Sequence, residues 1–199
     1  MSILVNQKAP DFTAPAVMPD SSIKPELSLS DYRGSYVALL FYPLDFTFVC
    51  PSELIAHNNR LVKFAELGVQ LLGVSIDSQF THLDWRETPV ERGGIGRIRF
   101  PLIADVNHGM VKAYGIEHPD GVALRASFLI DRLGMVQHQV VNNLPLGRDV
   151  EEMLRMVEAL QFTEQHGEVC PAGWRKGERG MQPSPQGVAD FLAENADRL

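Results

Sequence analysis

The chain has 199 residues, of which 45% are hydrophobic and 22% are charged, the composition of a globular protein that can bury one sizeable core. Its 18 Lys and Arg against 25 Asp and Glu leave a formal net charge of -7, so a nucleic-acid-binding surface is not expected. The N-terminus lacks the pattern of a secretory signal, and the best apolar run, 36–44, is too short to cross a bilayer. We therefore expect a cytoplasmic protein with no nucleic-acid partner and no membrane segment.

The first third of the chain predicts an irregular start, a buried strand and a helix. Residues 4–17 carry strand-forming side chains interrupted by prolines, which favours a short hairpin or an irregular segment. The apolar run 36–42 has the length of a strand covered on both faces. Residues 51–67 show helical spacing, with Pro51 suited to the first turn. The expected apolar stripe of this helix is Leu54, Leu61 and Ala65, with Ile55 and Val62 beside it.

The remaining pattern alternates between strands and helices and ends in a hairpin and a long helix. Strands are predicted at 69–76 and 101–104, helices at 78–87, 107–114 and 149–165, and a hairpin at 126–130 with 135–141. This order indicates an α/β protein with a mixed sheet.

The composition changes after Gly167, where glycine, proline and charged residues predominate. This change predicts a domain over residues 1–165 and a C-terminal arm over 166–199. A final amphipathic helix is expected at 188–196.

Two cysteines, Cys50 and Cys170, are too few for a disulfide-rich secreted scaffold. They are either inert buried thiols or reactive ones. Cys50 is expected at a helix N-terminus, which favours a thiolate, and Thr47 offers a hydroxyl three positions upstream. Position alone leaves both readings open.

Three other functional motifs were possible in this sequence, a phosphate loop, a zinc site and a dithiol pair, and the sequence supports none of them. The run 93–96 (GGIG) follows no convincing strand and lacks the Gly-Lys-Ser/Thr ending of a phosphate loop. His166 and Cys170 have a spacing that could share a metal, but two ligands do not make a zinc site. The chain has no Cys-x-x-Cys pair, which argues against a thioredoxin-type disulfide reductase.

The segment Pro43, Thr47, Cys50 resembles the Pro-x-x-x-Thr-x-x-Cys signature of the peroxiredoxins. The likeness extends from 9–12 (APDF) to 168–174 (EVCPAGW), which is similar to the segment that carries the resolving cysteine in that family. The chain thus resembles a typical two-cysteine peroxiredoxin of the alkyl hydroperoxide reductase C group. The resemblance implies a thioredoxin-like fold with an N-terminal hairpin extension and a C-terminal arm.

The resemblance also implies a role for each matching residue. Cys50 would attack hydrogen peroxide or an organic hydroperoxide and become a sulfenic acid. Thr47 would contact the thiolate and the peroxide, Pro43 would shield the sulfur from water, and Arg125 would stabilise the thiolate and the leaving oxygen. Glu53 and Arg148 match positions that orient this arginine and the active-site loop.

For Cys170 the resemblance implies an intersubunit disulfide with Cys50 in a homodimer, with five dimers assembling into a decamer. The disulfide would be reduced by thioredoxin or by a dedicated flavoprotein disulfide reductase, in antioxidant defence. No cofactor or metal is expected. The alternative function is a non-enzymatic holdase chaperone that uses the ring assembly.

Overall fold

The computed structural model describes residues 3–199, and within this range seven strands form one mixed sheet. The strands are β1 (Thr13–Val17), β2 (Ile23–Ser28), β3 (Tyr36–Phe41), β4 (Val69–Ser75), β5 (Leu102–Ala104), β6 (Arg125–Ile130) and β7 (Val136–Asn142). Their order across the sheet is β2-β1-β5-β4-β3-β6-β7. The β3/β4 and β4/β5 pairs are parallel and the other neighbouring pairs are antiparallel. The predicted thioredoxin-like α/β class is confirmed.

Six α-helices are present in the described part of the chain. They are α1 (Cys50–Asn59), α2 (Leu61–Glu66), α3 (Gln79–Glu87), α4 (Gly109–Ala113), α5 (Val150–His166) and α6 (Pro185–Asn195). Short 3-10 turns lie at Leu29–Tyr32, Val90–Arg92 and Ala196–Arg198. From residue 3 onward, no helix combines the length and the apolarity needed to span a bilayer.

The N-terminal hairpin lies further along the chain than the sequence predicts. Its first strand begins at Thr13, and its partner is Ile23–Ser28 rather than a segment within 4–17. The pairing register shifts between Ala14 and Ala16, where Pro15 has no N–H to donate to the ladder. The second strand contains Pro25 and forms an edge of the sheet, a position where proline is tolerated.

Strand β3 lies in the interior of the sheet. All six of its residues are buried, and β4 and β6 pair with its two sides. Its Val37, Leu39 and Phe41 belong to the hydrophobic core together with Met110 and Val111 of α4. This packing fixes the C-terminal end of β3, from which the chain continues directly towards Cys50.

The single helix predicted over 51–67 is wrong, because the chain breaks into α1 and α2 at Arg60. Arg60 has φ -101° and ψ 4°, and its N–H bonds back to His57. Next to the break, the side chain of Asn58 accepts a hydrogen bond from the backbone N–H of Arg99 at 2.8 Å, a contact with a residue 41 positions away. In α2 Phe64 is buried, whereas Ala65 of the expected stripe is exposed and Val62, expected beside the stripe, is 59% exposed.

By contacts between residues, the chain divides into two compact units, one ending at Val150 and the other covering Glu151–Leu199. The second unit contains α5, α6 and the segment between them. This segment is mostly irregular, and it folds back through an antiparallel bridge between Val169 and Met181. The domain boundary at 165 that the composition suggests stays a prediction.

Candidate active site

Cys50 is the first residue of α1, and its side chain is fully buried. The chain leaves β3 at Phe41 and crosses a loop over 42–49, in which Phe46 has a left-handed backbone with φ 52°. Pro51 occupies the first helical turn, where its missing N–H removes no helical hydrogen bond. The sulfur therefore lies at a helix N-terminus, where the dipole favours negative charge.

Two hydrogen-bond donors reach the sulfur of Cys50. The hydroxyl Oγ1 of Thr47 lies 2.8 Å from Sγ and 2.9 Å from the carbonyl oxygen of Leu44, and its one proton can serve either acceptor. Nη1 of Arg125 lies 3.3 Å from the same sulfur. Arg125 reaches this position because it begins β6, which pairs with the end of β3 through Phe41 and Ala126. Both donors are suited to a sulfur anion.

Glu53 lies at the centre of a buried ion-pair network. Its Oε2 accepts from Nη1 of Arg125 at 2.8 Å, and its Oε1 accepts from Nε of Arg148 at 2.7 Å and from the Arg148 backbone N–H at 2.9 Å. Burial alone raises the pKa of Glu53, but the two guanidiniums outweigh burial and hold this pKa below its usual value. Glu53 is therefore a carboxylate at neutral pH.

The two guanidiniums of this network outnumber its one carboxylate. The guanidiniums of Arg125 and Arg148 supply two positive charges, whereas Glu53 supplies one negative charge. His57 donates to the Glu53 carbonyl at 2.7 Å and is neutral at pH 7, because burial lowers its pKa to about 4. The cluster therefore places a net positive charge beside the Cys50 sulfur, an environment that would stabilise an anion at that position.

A pocket of about 520 Å³ opens beside Thr47 and Arg125. Most of its walls are apolar, and its lining residues are Pro43, Leu44, Thr47, Phe48, Val49, Asp120, Val122, Arg125, Leu144 and Pro145. Nε of Arg125 donates to the Leu144 carbonyl at 2.6 Å, which fixes the guanidinium against this wall. The pocket leads a small molecule to the two groups that contact the sulfur.

A second buried network holds the loop over 42–49 in place. Nδ1 of His82 lies 2.7 Å from Oδ2 of Asp45, and the hydroxyl of Tyr42 donates to Oδ1 of Asp45 at 2.9 Å. The backbone N–H of Asp45 donates to the carboxylate of Asp77 at 2.9 Å. Burial raises the pKa of Asp45 more than His82 lowers it. Sequence reasoning missed this network, although Asp45 lies inside the motif it used.

Cys170 lies in the second compact unit, on the irregular segment after α5, and it is half-buried. Its Sγ lies 3.5 Å from the carbonyl oxygen of Ala159, to which a thiol can donate, and 3.7 Å from the hydroxyl of Thr163. Nearby, Nη1 of Arg155 donates to the carbonyl of Trp174 at 3.0 Å. Neither cysteine is part of a disulfide bond.

The predicted site residues therefore fall into two groups. Thr47, Cys50, Glu53, Arg125 and Arg148 form one hydrogen-bonded cluster, and Pro43 lines the adjoining pocket. Cys170 belongs to the other compact unit. Within residues 3–199, no three His, Cys, Asp or Glu side chains are placed to hold a metal ion.

Comparison with known proteins gives consistent matches over the whole chain. The model of the AhpC/TSA family matches residues 5–139, and the model of the C-terminal domain of 1-Cys peroxiredoxin matches residues 159–194. Alkyl hydroperoxide reductase C of Helicobacter pylori is 50% identical over 198 residues, which cover 99% of this chain and 100% of that protein.

Solved structures agree with these matches. The reduced 2-Cys peroxiredoxin of Plasmodium vivax superposes with a TM-score of 0.94 at 49% identity, covering 96% of this chain and 100% of that one. Prx1a of Plasmodium yoelii, modified at its N-terminus and described as an artifactual octamer, gives a TM-score of 0.77 at 53% identity over 85% of this chain and 98% of that one.

Proposed function

The chain belongs to the AhpC/TSA family of peroxiredoxins and is a thiol-dependent peroxidase, and from this premise we propose that Cys50 is the residue that attacks the peroxide. The observation that carries the proposal is the convergence of Thr47 and Arg125 on the buried sulfur, at 2.8 Å and 3.3 Å. Cys170 has no comparable cation at hydrogen-bonding distance among the contacts described for its sulfur.

In the proposed reaction, the Cys50 thiolate attacks the distal oxygen of the hydroperoxide. A sulfur–oxygen bond forms while the oxygen–oxygen bond breaks, so the sulfur is oxidised by two electrons to a sulfenic acid and the peroxide is reduced. The departing oxygen leaves as alkoxide or hydroxide and takes a proton, giving an alcohol or water. We assign hydrogen peroxide and organic hydroperoxides as substrates, since the pocket of about 520 Å³ exceeds what hydrogen peroxide needs.

Each neighbour of the sulfur has a distinct part in this step. The Arg125 guanidinium stabilises negative charge as it moves from sulfur to the leaving oxygen, and Glu53 and Arg148 hold that guanidinium in place. The Thr47 hydroxyl moves its hydrogen bond between the sulfur, the Leu44 carbonyl and the bound peroxide. Pro43, as part of the pocket wall, excludes water without offering a competing donor.

We propose that Cys170 then attacks the sulfenic acid of a partner subunit, forming an intersubunit disulfide and releasing water. The two cysteines lie in different compact units, and Cys170 is carried by an irregular segment that can leave its parent unit more readily than a strand or helix. Thioredoxin or a flavoprotein disulfide reductase would return both sulfurs to thiols. Such a cycle requires a reducing compartment, which supports a cytoplasmic location.

For the assembly, we propose a homodimer that associates further into a decamer. Three phenylalanines are exposed in the single chain, Phe46 and Phe48 in the loop before Cys50 and Phe80 in α3, at 47%, 98% and 67%. Exposed aromatic side chains are typical of protein interfaces. Sedimentation velocity of the reduced protein tests this assignment, and a purely monomeric species at micromolar concentration would refute it.

The roles of the two cysteines are tested by comparing wild type with Cys50→Ser and Cys170→Ser. With dithiothreitol as reductant, Cys50→Ser should lose hydroperoxide consumption, whereas Cys170→Ser should keep it. On a non-reducing gel, peroxide-treated wild type should run as a dimer and each variant as a monomer. Full consumption of hydroperoxide by Cys50→Ser would show that the nucleophile is misassigned.

A further inference from the structure

The pocket beside Cys50 contains a charged side chain for which the proposed reaction has no use. Among the described residues that line it, the ionisable ones are Arg125 and Asp120. Asp120 belongs to the turn 118–121 (HPDG), in which Gly121 has φ 77°. Proline, aspartate and glycine are common in turns for backbone reasons alone. Nothing in the sequence therefore connects Asp120 with the reaction.

The positive charge of Arg125 is already compensated. Its guanidinium is 2.8 Å from the Glu53 carboxylate and 3.3 Å from the Cys50 sulfur. With the sulfur ionised, Glu53 and Cys50 together balance Arg125 and Arg148. The buried floor of the pocket therefore presents no net positive charge that would attract an anion.

The negative charge of Asp120 has no arginine or lysine partner among the described residues. Its side chain is 77% exposed, so it lies at the rim of the pocket. Its backbone N–H donates to Nδ1 of His118 at 3.2 Å. The same nitrogen lies 3.5 Å from the Asp120 carboxylate, a longer separation than the 2.8 Å between Arg125 and Glu53.

We propose that Asp120 makes this site select uncharged hydroperoxides over hydroperoxides that carry a carboxylate, an inference that rests on the proposed role of Cys50. The apolar walls accept the hydrocarbon part of the substrate, and such low-dielectric walls strengthen the field of a charge at the rim. A substrate carboxylate that enters beside Asp120 is repelled, and the net charge of -7 adds to this repulsion.

The expected size of the effect follows from Coulomb's law. Two carboxylates about 8 Å apart at a pocket rim, with an effective dielectric constant of about 40 to 80, give roughly a 2- to 6-fold difference in rate at low salt. Added salt should reduce the difference, because the Debye length falls to about 8 Å at 0.15 M ionic strength.

The test uses two aromatic hydroperoxides of the same shape, the 4-carboxylate of cumene hydroperoxide and its methyl ester. Reduced full-length protein is mixed with each, and the rate of hydroperoxide loss gives the ester-to-carboxylate rate ratio. The variants are Asp120→Asn and Asp120→Lys. The matched control is Glu66→Gln, which removes one negative charge from an exposed residue of α2 that does not line the pocket.

We expect wild type and Glu66→Gln to favour the ester at 0.02 M salt. Asp120→Asn should bring the ratio close to one, and Asp120→Lys should reverse it. An unchanged ratio in both Asp120 variants, or no preference in wild type, would overturn the proposal. The ester reaction of Cys50→Ser separates the two hypotheses: if that variant still consumes the ester, the proposed nucleophile is wrong, whatever Asp120 does.

Discussion

Glu53 and Arg148 are joined twice, because one carboxylate oxygen of Glu53 accepts both the backbone N–H and the side-chain Nε–H of Arg148. The pair therefore fixes the chain at residue 148 as well as the guanidinium. Nη1 of Arg148 also donates to the carbonyls of Phe41 and Ala126, at 2.9 Å and 2.6 Å. This pair consequently ties α1 to the ends of the two strands that bring Cys50 and Arg125 together.

Replacing Glu53 by Gln should therefore lower stability and activity together. The change leaves two buried guanidiniums with one negative partner at most, and breaking such a buried pair costs about 3 to 5 kcal/mol. Urea unfolding at pH 7 measures the stability, and the rate of Cys50 oxidation measures the activity. Exposed Glu66→Gln is the control and should stay within about 0.5 kcal/mol of wild type. A Glu53→Gln protein as stable as this control would contradict the expected ion-pair network.

The hydroxyl of Thr47, rather than its methyl group, should set the rate of the first step. Thr47→Val keeps the shape but removes the donor 2.8 Å from the sulfur, and we expect Cys50 oxidation to slow by about 10²-fold, as for the loss of one preorganised donor. Thr47→Ser retains the hydroxyl and should stay within a few-fold of wild type. Stopped-flow mixing with excess hydrogen peroxide gives both rates. Equal rates for the valine and serine variants would remove the hydroxyl from the mechanism.

The elements that the sequence predicts best are those whose burial is uniform. The apolar run 36–42 gives a strand that ends at Phe41, and the run 69–76 gives one that ends at Ser75. The helix start at Cys50 is also predicted, because Pro51 and the spacing that follows are local signals. For these two strands and this helix start, local signals are sufficient for the prediction, because the tertiary packing favours the same structure.

The parts that escape prediction depend on contacts between distant positions. His82 is 37 positions from Asp45, and no local pattern indicates that a buried histidine will pair with that loop. The break at Arg60 is equally hidden, because the apolar spacing continues through it. Family resemblance supplied Arg125, Glu53 and Arg148 as candidates, whereas the 2.7–3.3 Å contacts that join them come from pairing between β3 and β6 and from the position of α1.

Asp45 and His82 should show a coupling free energy in a double-mutant cycle of unfolding. His82→Gln leaves the buried Asp45 carboxylate with a weaker partner, so it should destabilise the protein by about 2 to 4 kcal/mol. Adding Asp45→Asn removes the charge and should restore part of the loss, since two uncharged amides can hydrogen-bond. Chemical unfolding of the wild type, both single variants and the double variant forms a complete cycle. Strictly additive effects would show that the two side chains do not interact.

His57 should make the protein less stable in mild acid. Its pKa in the folded protein is about 4, against an ordinary value of 6.5, because burial against Phe64 disfavours the charged ring more than Glu53 favours it. Between these two pH values the unfolded chain binds a proton at His57 and the folded protein does not, so stability falls as the pH drops from about 6.5 to about 4. Over this window the loss from this group amounts to about 3 kcal/mol, and it levels off below pH 4.

Replacing His57 by Gln should therefore flatten the pH dependence of unfolding in this window. The free energy of unfolding is measured in urea at several values between pH 4 and 7 for wild type, His57→Gln and His166→Gln. His166 is exposed at the end of α5, so its replacement should leave the slope as in wild type. Glutamine at position 57 lowers the free energy of unfolding at pH 7, because it removes packing. Since the variant lacks the titrating ring, its free energy of unfolding should approach that of wild type as the pH falls. Parallel curves for wild type and His57→Gln would show that His57 is not the group that titrates.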